Sequence, residues 1–309
     1  MDESKNLLAN GQGGMLTRRW VLGAAALLVP ASARAQARYA EPSLALKDLE
    51  AKSGARIGVA AVDYNSGKLV CWREGERFIM CSTFKLSLAA ATLSRADSGQ
   101  ENLDKVIRYG KSDLLDVSPV TSRHVDSGMR VVDLCEAAIR YSDNTAANLL
   151  LTEVGGPDGV TQWWREIGDK VTRLDRREPA LNVPDGDKDT TTPAAMLGNL
   201  KSMLLGDGVS PESRTRLVAW LAGNTTGDAM LRAGMPSGWT IGDKTGRWTS
   251  SDATKDAAND IAIVTPPGRK PILIAAYTTG GHGDDAARQA VVAEIGRIVT
   301  GRFLDQTRV

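Results

Sequence analysis

Strand-forming segments lie near both ends of this 309-residue chain, and helical patterns fill the sequence between them. At residues 56–74, the apolar runs RIGVAAVD and KLVCWRE flank Tyr64-Asn65-Ser66-Gly67, which is typical of a hairpin turn. Three more runs, WTIGDKTG, NDIAIVTPP and PILIAAYTTG, fall within residues 239–280, and a helical pattern follows at residues 286–301. This order predicts an α/β lobe built from both termini.

Helical patterns dominate from Thr83 to about Ala222, as in VVDLCEAAIRYS, NTAANLLLTEV and TTPAAMLGNLKSML. One long irregular segment, at about residues 173–190, interrupts them and is rich in charge, Pro and Gly. A structureless loop of that length inside a compact region is usually functional. We therefore expect an all-helical lobe that carries a functional loop.

Together these patterns predict a two-lobed α/β fold, with an antiparallel sheet flanked by helices beside the all-helical lobe. We assign residues 36–75 and 223–309 to the α/β lobe, and residues 76–222 to the helical lobe. A chain of this length is long enough for one large domain or for two lobes that share a core. The cleft between the lobes is the natural binding site.

The charge balance argues against a polyanionic partner. The chain has 38 basic and 37 acidic side chains, and its hydrophobic content of 42% is ordinary for a globular protein. We therefore predict no nucleic-acid partner. Composition alone says nothing more about function.

The N-terminus predicts export. TRRWVLGAAALLVPASARA contains the twin arginine Arg18-Arg19, an apolar run too short to span a bilayer, and the cleavage signal Ala33-Arg34-Ala35. We interpret residues 1–35 as a twin-arginine signal, with Met15 as a candidate true start because the preceding residues are polar and acidic. The alternative is a buried N-terminal helix. Export predicts a periplasmic or secreted bacterial protein with no membrane contact after the signal is removed.

Ser82 and Lys85 form a candidate nucleophile and base. They are three residues apart, so on a helix they share a face, and Ser82 would lie in the first turn, where free N–H groups favour negative charge. A serine hydroxyl needs a nearby base. A lysine can serve if its pKa falls, which burial and a second cation both cause. The S-x-x-K pattern alone is weak, because it should occur by chance about once in such a chain.

Two further motifs strengthen the prediction. Ser142-Asp143-Asn144 lies between helical segments and offers a second hydroxyl as a proton relay. Lys244-Thr245-Gly246 ends a strand, where Lys244 offers a cation and Gly246 lets a substrate approach the strand edge. Each has a simpler interpretation, a helix cap for the first and an exposed strand end for the second. Their joint presence in this order favours a catalytic site.

These three motifs and Glu178-Pro179-Ala180-Leu181-Asn182 resemble the signatures of class A serine β-lactamases. The flanking stretches SPVTSRH, SDNTAANLLL and RLDRREPALN fit the same family, so the resemblance covers essentially the whole chain after residue 35. It identifies residues 173–190 as the family's omega loop. It implies hydrolysis of β-lactam antibiotics through a serine ester, and hence antibiotic resistance.

The resemblance also implies a role for each residue. Ser82 attacks the lactam carbonyl, the backbone N–H groups of Ser82 and Arg247 form the oxyanion hole, and Ser142 relays a proton to the leaving nitrogen. Either Lys85 or Glu178 is the acylation base, and the sequence leaves both open. The remaining residues, which bind the substrate or the hydrolytic water, are Asn144, Asn182, Lys244, Thr245 and Gly246.

The loop carries both a matching feature and a departure. Arg176 and Asp189 match the charged pair that pins the neck of the omega loop in this family. Between Asn182 and Asp189 the loop is about two residues shorter than usual, and residues 247–258 form a longer connection than usual. The implied effect of both departures is on substrate preference.

The strand that begins at Asn259 lacks the arginine that many family members use as a second carboxylate contact, and Arg232 and Arg288 are the alternatives. In related family members, Cys81 and Cys135 each have a disulfide partner. Here Trp248 occupies the partner position of Cys81, and Ala89 occupies that of Cys135, so we expect both cysteines to be buried free thiols. His124 and His282 are the only histidines in the sequence, which disfavours a metal-dependent hydrolase. No cofactor is predicted.

Two other functions remain open. A D-alanyl-D-alanine peptidase or a penicillin sensor would share the serine and lysine motifs and stall as an acylated protein. Glu178 and the absence of an extra membrane or substrate domain disfavour the peptidase. The sensor is disfavoured because no membrane-anchored signalling segment is visible in the sequence. We expect a monomer that acts on small-molecule β-lactams.

Overall fold

The structure is a computed structural model that describes residues 31–304, with side chains described from residue 42 onward. The twin arginine and the candidate start Met15 lie outside the described residues. The helices are α1 Ala31–Ser53, α2 Phe84–Asp97, α3 Val131–Arg140, α4 Asn144–Glu153, α5 Gly156–Glu166, α6 Pro193–Leu204, α7 Pro211–Ala222 and α8 Asp285–Leu304. The strands are β1 Ala55–Asp63, β2 Leu69–Trp72, β3 Phe78–Ile79, β4 Val106–Ile107, β5 Met129–Arg130, β6 Thr190–Thr191, β7 Thr240–Trp248, β8 Ala257–Thr265 and β9 Ile272–Gly280.

Five strands from the two ends of the chain form one antiparallel sheet, in the order β2-β1-β9-β8-β7. The predicted hairpin joins β1 to β2, and Gly67 closes its turn at φ +71° by donating its N–H to the carbonyl of Asp63. The sheet and the eight described helices confirm the predicted two-lobed α/β fold. Residues 76–222 are mostly helical and also contain two short ladders, β3 with β6 and β4 with β5.

Successive side chains along each strand point to opposite faces of the sheet, which divides the core into two layers. On one sheet face, Val59 and Ile274 pack with Val292 of α8 and Leu46 of α1. On the other face, Leu273, Ala275 and Tyr277 pack against the helices of the second lobe. The sheet is therefore covered on both faces, and its second face packs directly against the helical lobe.

Helix α2 is the centre of the helical lobe. Its first ten residues, 84–93, are all buried, which is the pattern of a helix surrounded by protein on every side. Lys85 is one of them, so its ammonium is placed inside the core by the packing of the whole helix. In the described part of the chain, no helix is long and apolar enough to cross a membrane.

Candidate active site

Ser82 lies in a short 3₁₀ turn, Cys81–Thr83, just ahead of α2. The last part of β7 packs directly on this turn: a Cβ at Gly246 would lie 2.6 Å from the carbonyl oxygen of Met80 and 3.0 Å from the N of Ser82. The structure thus shows a packing reason for glycine at position 246, and the approach of the substrate to the strand edge stays a prediction. Glycine there lets the strand seat the turn that carries the serine.

Lys85 lies in the first turn of α2 and is fully buried. Its ammonium donates to the carbonyl of Ser142 at 2.8 Å and to Oδ1 of Asn144 at 2.5 Å. Oε1 of Glu178 lies 3.1 Å from the same nitrogen. Burial lowers the pKa of Lys85, and the opposing attraction of Glu178 is the smaller effect. A buried lysine with weakened affinity for its proton is suited to proton transfer.

Ser142 sits between the two lysines. Its Oγ accepts from Nζ of Lys244 at 3.1 Å and lies 3.4 Å from Nζ of Lys85. Its backbone has φ +56°, which turns the chain sharply between α3 and α4. Asp143 caps α4 by accepting from the N–H of Ala146 at 2.8 Å. The helix-cap interpretation is therefore right for Asp143, while the residues on either side of it face the site.

Lys244 is also fully buried and donates to the carbonyl of Thr245 at 2.8 Å. Burial lowers its pKa to about 7, and the positive charge of Lys85 adds to the shift. The second cation predicted from the sequence is thus close enough to Lys85 for the two charges to interact.

Glu178 is buried and directed at the serine, with its Oε1 accepting from Oγ of Ser82 at 3.4 Å. Its Oε2 accepts from Nδ2 of Asn182 at 2.6 Å. Asn148 fixes the backbone of Glu178 on both sides, accepting from its N–H at 3.0 Å and donating to its carbonyl at 2.9 Å. The sequence analysis missed Asn148, although it lies one helical turn after Asn144 and so on the same face of α4.

The omega loop is closed by the predicted pair. Oδ2 of Asp189 accepts from Nε of Arg176 at 2.6 Å, and its Oδ1 accepts from the backbone N–H groups of Asp175 and Arg176 at 2.8 and 2.9 Å. Asp189 is fully buried, which makes these bonds strong. The predicted Arg176–Asp189 pair is confirmed, and it holds the two ends of the segment that presents Glu178.

Several of the side chains described above line a cleft of about 300 Å³. Thr226 was missed from the sequence: it follows α7 and its hydroxyl lies 2.5 Å from that of Thr245. Lys85, Lys244 and Gly246 are not among the lining residues, but both lysines contact Ser142, which is. The lining residues are Ser82, Asp116, Val117, Tyr141, Ser142, Asn144, Glu178, Pro179, Asn182, Thr226, Thr245, Arg247 and Trp248.

The two alternative arginines are engaged elsewhere. Arg232 pairs with the buried Asp243 at 2.5 Å, and Arg288 pairs with Asp256 at 3.0 Å. Neither is among the residues that line the cleft.

All three cysteines are free thiols, as expected for Cys81 and Cys135, which are both buried. Cys81 packs with Ile79, Ala257 and Trp248 behind the serine. Burial raises the pKa of the Cys135 thiol to about 12 and that of the Cys71 thiol to about 11. Among the described residues, no group of three or more His, Cys, Asp or Glu side chains could hold a metal ion.

Comparison with known proteins gives a consistent result. The pattern of the β-lactamase enzyme family matches residues 41–303. The chain is 45% identical over 252 residues to the carbapenem-hydrolyzing β-lactamase KPC of Klebsiella oxytoca, covering 81% of this chain and 85% of that one. It is 42% identical over 279 residues to β-lactamase CTX-M-8 of Citrobacter amalonaticus, covering 90% and 94%.

Solved structures agree in fold and sequence. The ancestral (GNCA) class A β-lactamase superposes with a TM-score of 0.81 at 54% identity, covering 84% of this chain and 99% of that chain. The putative class A β-lactamase PenP of Rhodopseudomonas palustris gives a TM-score of 0.80 at 46% identity, covering 84% and 98%. The chain therefore belongs to the β-lactamase enzyme family and, within it, to class A.

Proposed function

We propose that this protein hydrolyses the amide bond of β-lactam antibiotics through an acyl-enzyme on Ser82, released by a water that Glu178 activates, and so confers resistance. One observation carries the proposal: a buried carboxylate, that of Glu178, lies 3.4 Å from Oγ of Ser82 and 3.1 Å from Nζ of Lys85. A carboxylate that contacts both the nucleophile and an amine brings together the groups that acylation and deacylation require.

Acylation forms the bond from Oγ of Ser82 to the lactam carbonyl carbon and breaks the bond from that carbon to nitrogen. The proton of the serine passes to Glu178, whose Oε1 lies 3.4 Å from Oγ, or to Lys85, whose Nζ lies 3.1 Å from the same Oε1. Ser142 then delivers a proton to the leaving nitrogen. Its hydroxyl contacts both lysines, so the proton it gives can be replaced at once.

The developing oxyanion is bound by the backbone N–H groups of Ser82 and Arg247. The close packing of Gly246 on the turn of Ser82 supports this assignment, because it brings the strand and the turn side by side. Loss of one such donor typically costs about two to three orders of magnitude in rate.

Substrate binding uses both walls of the cleft. Lys244 and Thr245, supported by Thr226, bind the carboxylate of the substrate. Asn144 accepts from Lys85 through its Oδ1, which leaves its amide N–H groups to bind the acylamide carbonyl. These contacts orient the lactam carbonyl toward Ser82.

Deacylation needs more than a base. A stalled acyl-enzyme persists for hours, whereas turnover requires its release in about a tenth of a second. Shortening the lifetime of the acyl-enzyme that much is roughly five orders of magnitude in rate, or about 7 kcal/mol of barrier. A general base typically supplies about two to four orders. Asn182 supports the remainder by positioning: its Nδ2 bonds Glu178, and its Oδ1 is buried with no donor among the described residues. That oxygen can accept a hydrogen from the attacking water and hold it in line.

The test is to mix the purified protein with nitrocefin and follow colour and intact mass together. Repeated turnover without a lasting adduct is expected. A single stoichiometric burst with a persistent adduct would instead identify a D-alanyl-D-alanine peptidase or a penicillin sensor. Ser82→Ala should abolish both turnover and adduct.

The same proposal includes export and domain organisation. The signal assigned to residues 1–35 directs the protein to the periplasm or the medium, where its substrates arrive. The α/β lobe comprises residues 36–75 and 223–309, the helical lobe comprises residues 76–222, and the protein acts as a monomer. N-terminal sequencing of exported protein should begin near Gln36.

A further inference from the structure

Arg247 is the one arginine among the described residues that lines the cleft. The lysines of the site, Lys85 and Lys244, are fully buried, whereas the side chain of Arg247 is 41% exposed. Arg247 is therefore more accessible to an anionic ligand than either lysine. Arg232 and Arg288, the two alternatives for a second carboxylate contact, pair with buried aspartates.

The strand register places Arg247 on the same side as the proposed carboxylate site. Residues two apart on a strand share a face, and in the pairing of β7 with β8, Thr245 is opposite Asp260 and Arg247 is opposite Ala258. The two side chains start about 7 Å apart, a distance that the long arginine side chain can span. Arg247 can thus reach back over the hydroxyl of Thr245.

Asp285, at the start of α8, holds the guanidinium in the structure. Its Oδ2 accepts from Nη1 of Arg247 at 2.6 Å and from Nε2 of Gln289 at 2.7 Å. Both partners of the ion pair are about two-fifths exposed, and such surface pairs are weak and exchange readily. A guanidinium has five N–H donors, so one bond to Asp285 leaves others for a second anion.

We propose that the Arg247 side chain is the second cationic contact for the substrate's ring carboxylate, and that Asp285 competes with this carboxylate for it. The inference rests on the proposed function, in which Lys244 and Thr245 bind the same carboxylate. It makes Arg247 and Asp285 determinants of the preference for anionic over neutral β-lactams.

Two substrates that differ only at the carboxylate test this: a chromogenic cephalosporin and its methyl ester. Arg247→Gln keeps the backbone N–H of the oxyanion hole. It should raise KM for the acid about tenfold and raise KM for the ester, which lacks the carboxylate, by a much smaller factor. Asp285→Asn should lower KM for the acid, because the competing charge is gone. Arg216→Gln, which breaks an exposed pair with Glu212 on α7, is the matched control and should change neither substrate.

Salt gives an independent measure. Raising ionic strength should raise KM for the acid in the parent protein and do so less in Arg247→Gln, since an exposed charge contact is screened. If Arg247→Gln raised KM equally for the acid and the ester, or raised it for neither, the inference would be overturned. The proposed hydrolase activity would still stand. If the parent protein turns over neither substrate, the proposed function itself fails, and the inference fails with it.

Discussion

Nζ of Lys85 lies 3.1 Å from Oε1 of Glu178, and both side chains are excluded from solvent. Burying a charged group without partners is costly, so these two charges depend on each other and on the bonds from Lys85 to Ser142 and Asn144. Burial also lowers the pKa of Lys85, so its ammonium holds the proton less tightly than an exposed lysine does. Under the proposed function, the buried ammonium takes part in proton transfer beside Ser82.

The titration of Lys244 should appear in the pH profile. Its pKa is lowered to about 7, so the ammonium that binds the carboxylate is lost as pH rises above that value. We expect kcat/KM for anionic substrates to fall by about tenfold per pH unit on the alkaline side. Measurement from pH 6 to 9 checks this, and Lys244→Arg, which keeps its charge, should lack the alkaline fall. A flat parental profile between pH 7 and 9 would contradict the role of Lys244.

The lowered pKa of Lys244 also makes the free energy of unfolding depend on pH. Between pH 7 and 10.5 the unfolded chain keeps the proton of Lys244 and the folded protein releases it. Because the unfolded state then binds more protons, the contribution of this residue to the free energy of unfolding rises with pH in that window. Below pH 7 both states are protonated and the full penalty of burying the charge remains.

Gly246→Ala should damage both stability and activity. The new Cβ would lie 2.6 Å from the carbonyl oxygen of Met80, and backbone atoms there can move only if the turn of Ser82 moves too. We expect a loss of about 1–3 kcal/mol in the free energy of unfolding and a fall of more than about tenfold in kcat/KM. Urea unfolding and steady-state kinetics measure these. Gly75→Ala is the control, since a Cβ there meets nothing within 4 Å.

Asp189→Ala should loosen the omega loop. The change removes the acceptor for Arg176 and for two backbone N–H groups, so we expect a loss of about 2–4 kcal/mol in the free energy of unfolding. Deacylation depends on the loop more than acylation does, so kcat should fall more than kcat/KM. Asp189 has φ +55°, which asparagine tolerates. Asp189→Asn should therefore be affected less, and equal effects of the two variants would argue against the anchoring role.

Thiol titration should separate the folded from the unfolded protein. Denatured, non-reduced protein should react with three equivalents of Ellman's reagent, because Cys71, Cys81 and Cys135 are all free. Folded protein should react slowly, because burial raises the pKa of each thiol. Fewer than three thiols after denaturation would reveal a bridge or a modification absent from this structure.

The motifs that could be predicted from the sequence are those whose members are close in the chain. Ser82 and Lys85 are three residues apart, and Ser142 with Asn144 flanks a helix cap, so local geometry already joins them. The ends of the omega loop were predictable from the family pattern. What the sequence could not show is how α2 buries Lys85, since that depends on every element packed around it.

Residues brought in by tertiary packing were missed for the same reason. Thr226 reaches the cleft from the turn after α7, and no local pattern marks it. Asp285 was also missed: its partner Arg247 was predicted, but the two exposed side chains lie on separate elements, 38 residues apart in the chain. The two-residue strands β3 and β6 carry too little sequence for any periodicity to be seen.

Deacylation by Glu178 is the central claim, and intact mass spectrometry of Glu178→Gln tests it most directly. After mixing with a penicillin, the variant should carry one covalent adduct, mapped by peptide analysis to Ser82, that persists for minutes to hours while the parent protein shows none. Glu178→Gln that turns over the drug at the parental rate, with no adduct at Ser82, would contradict the account.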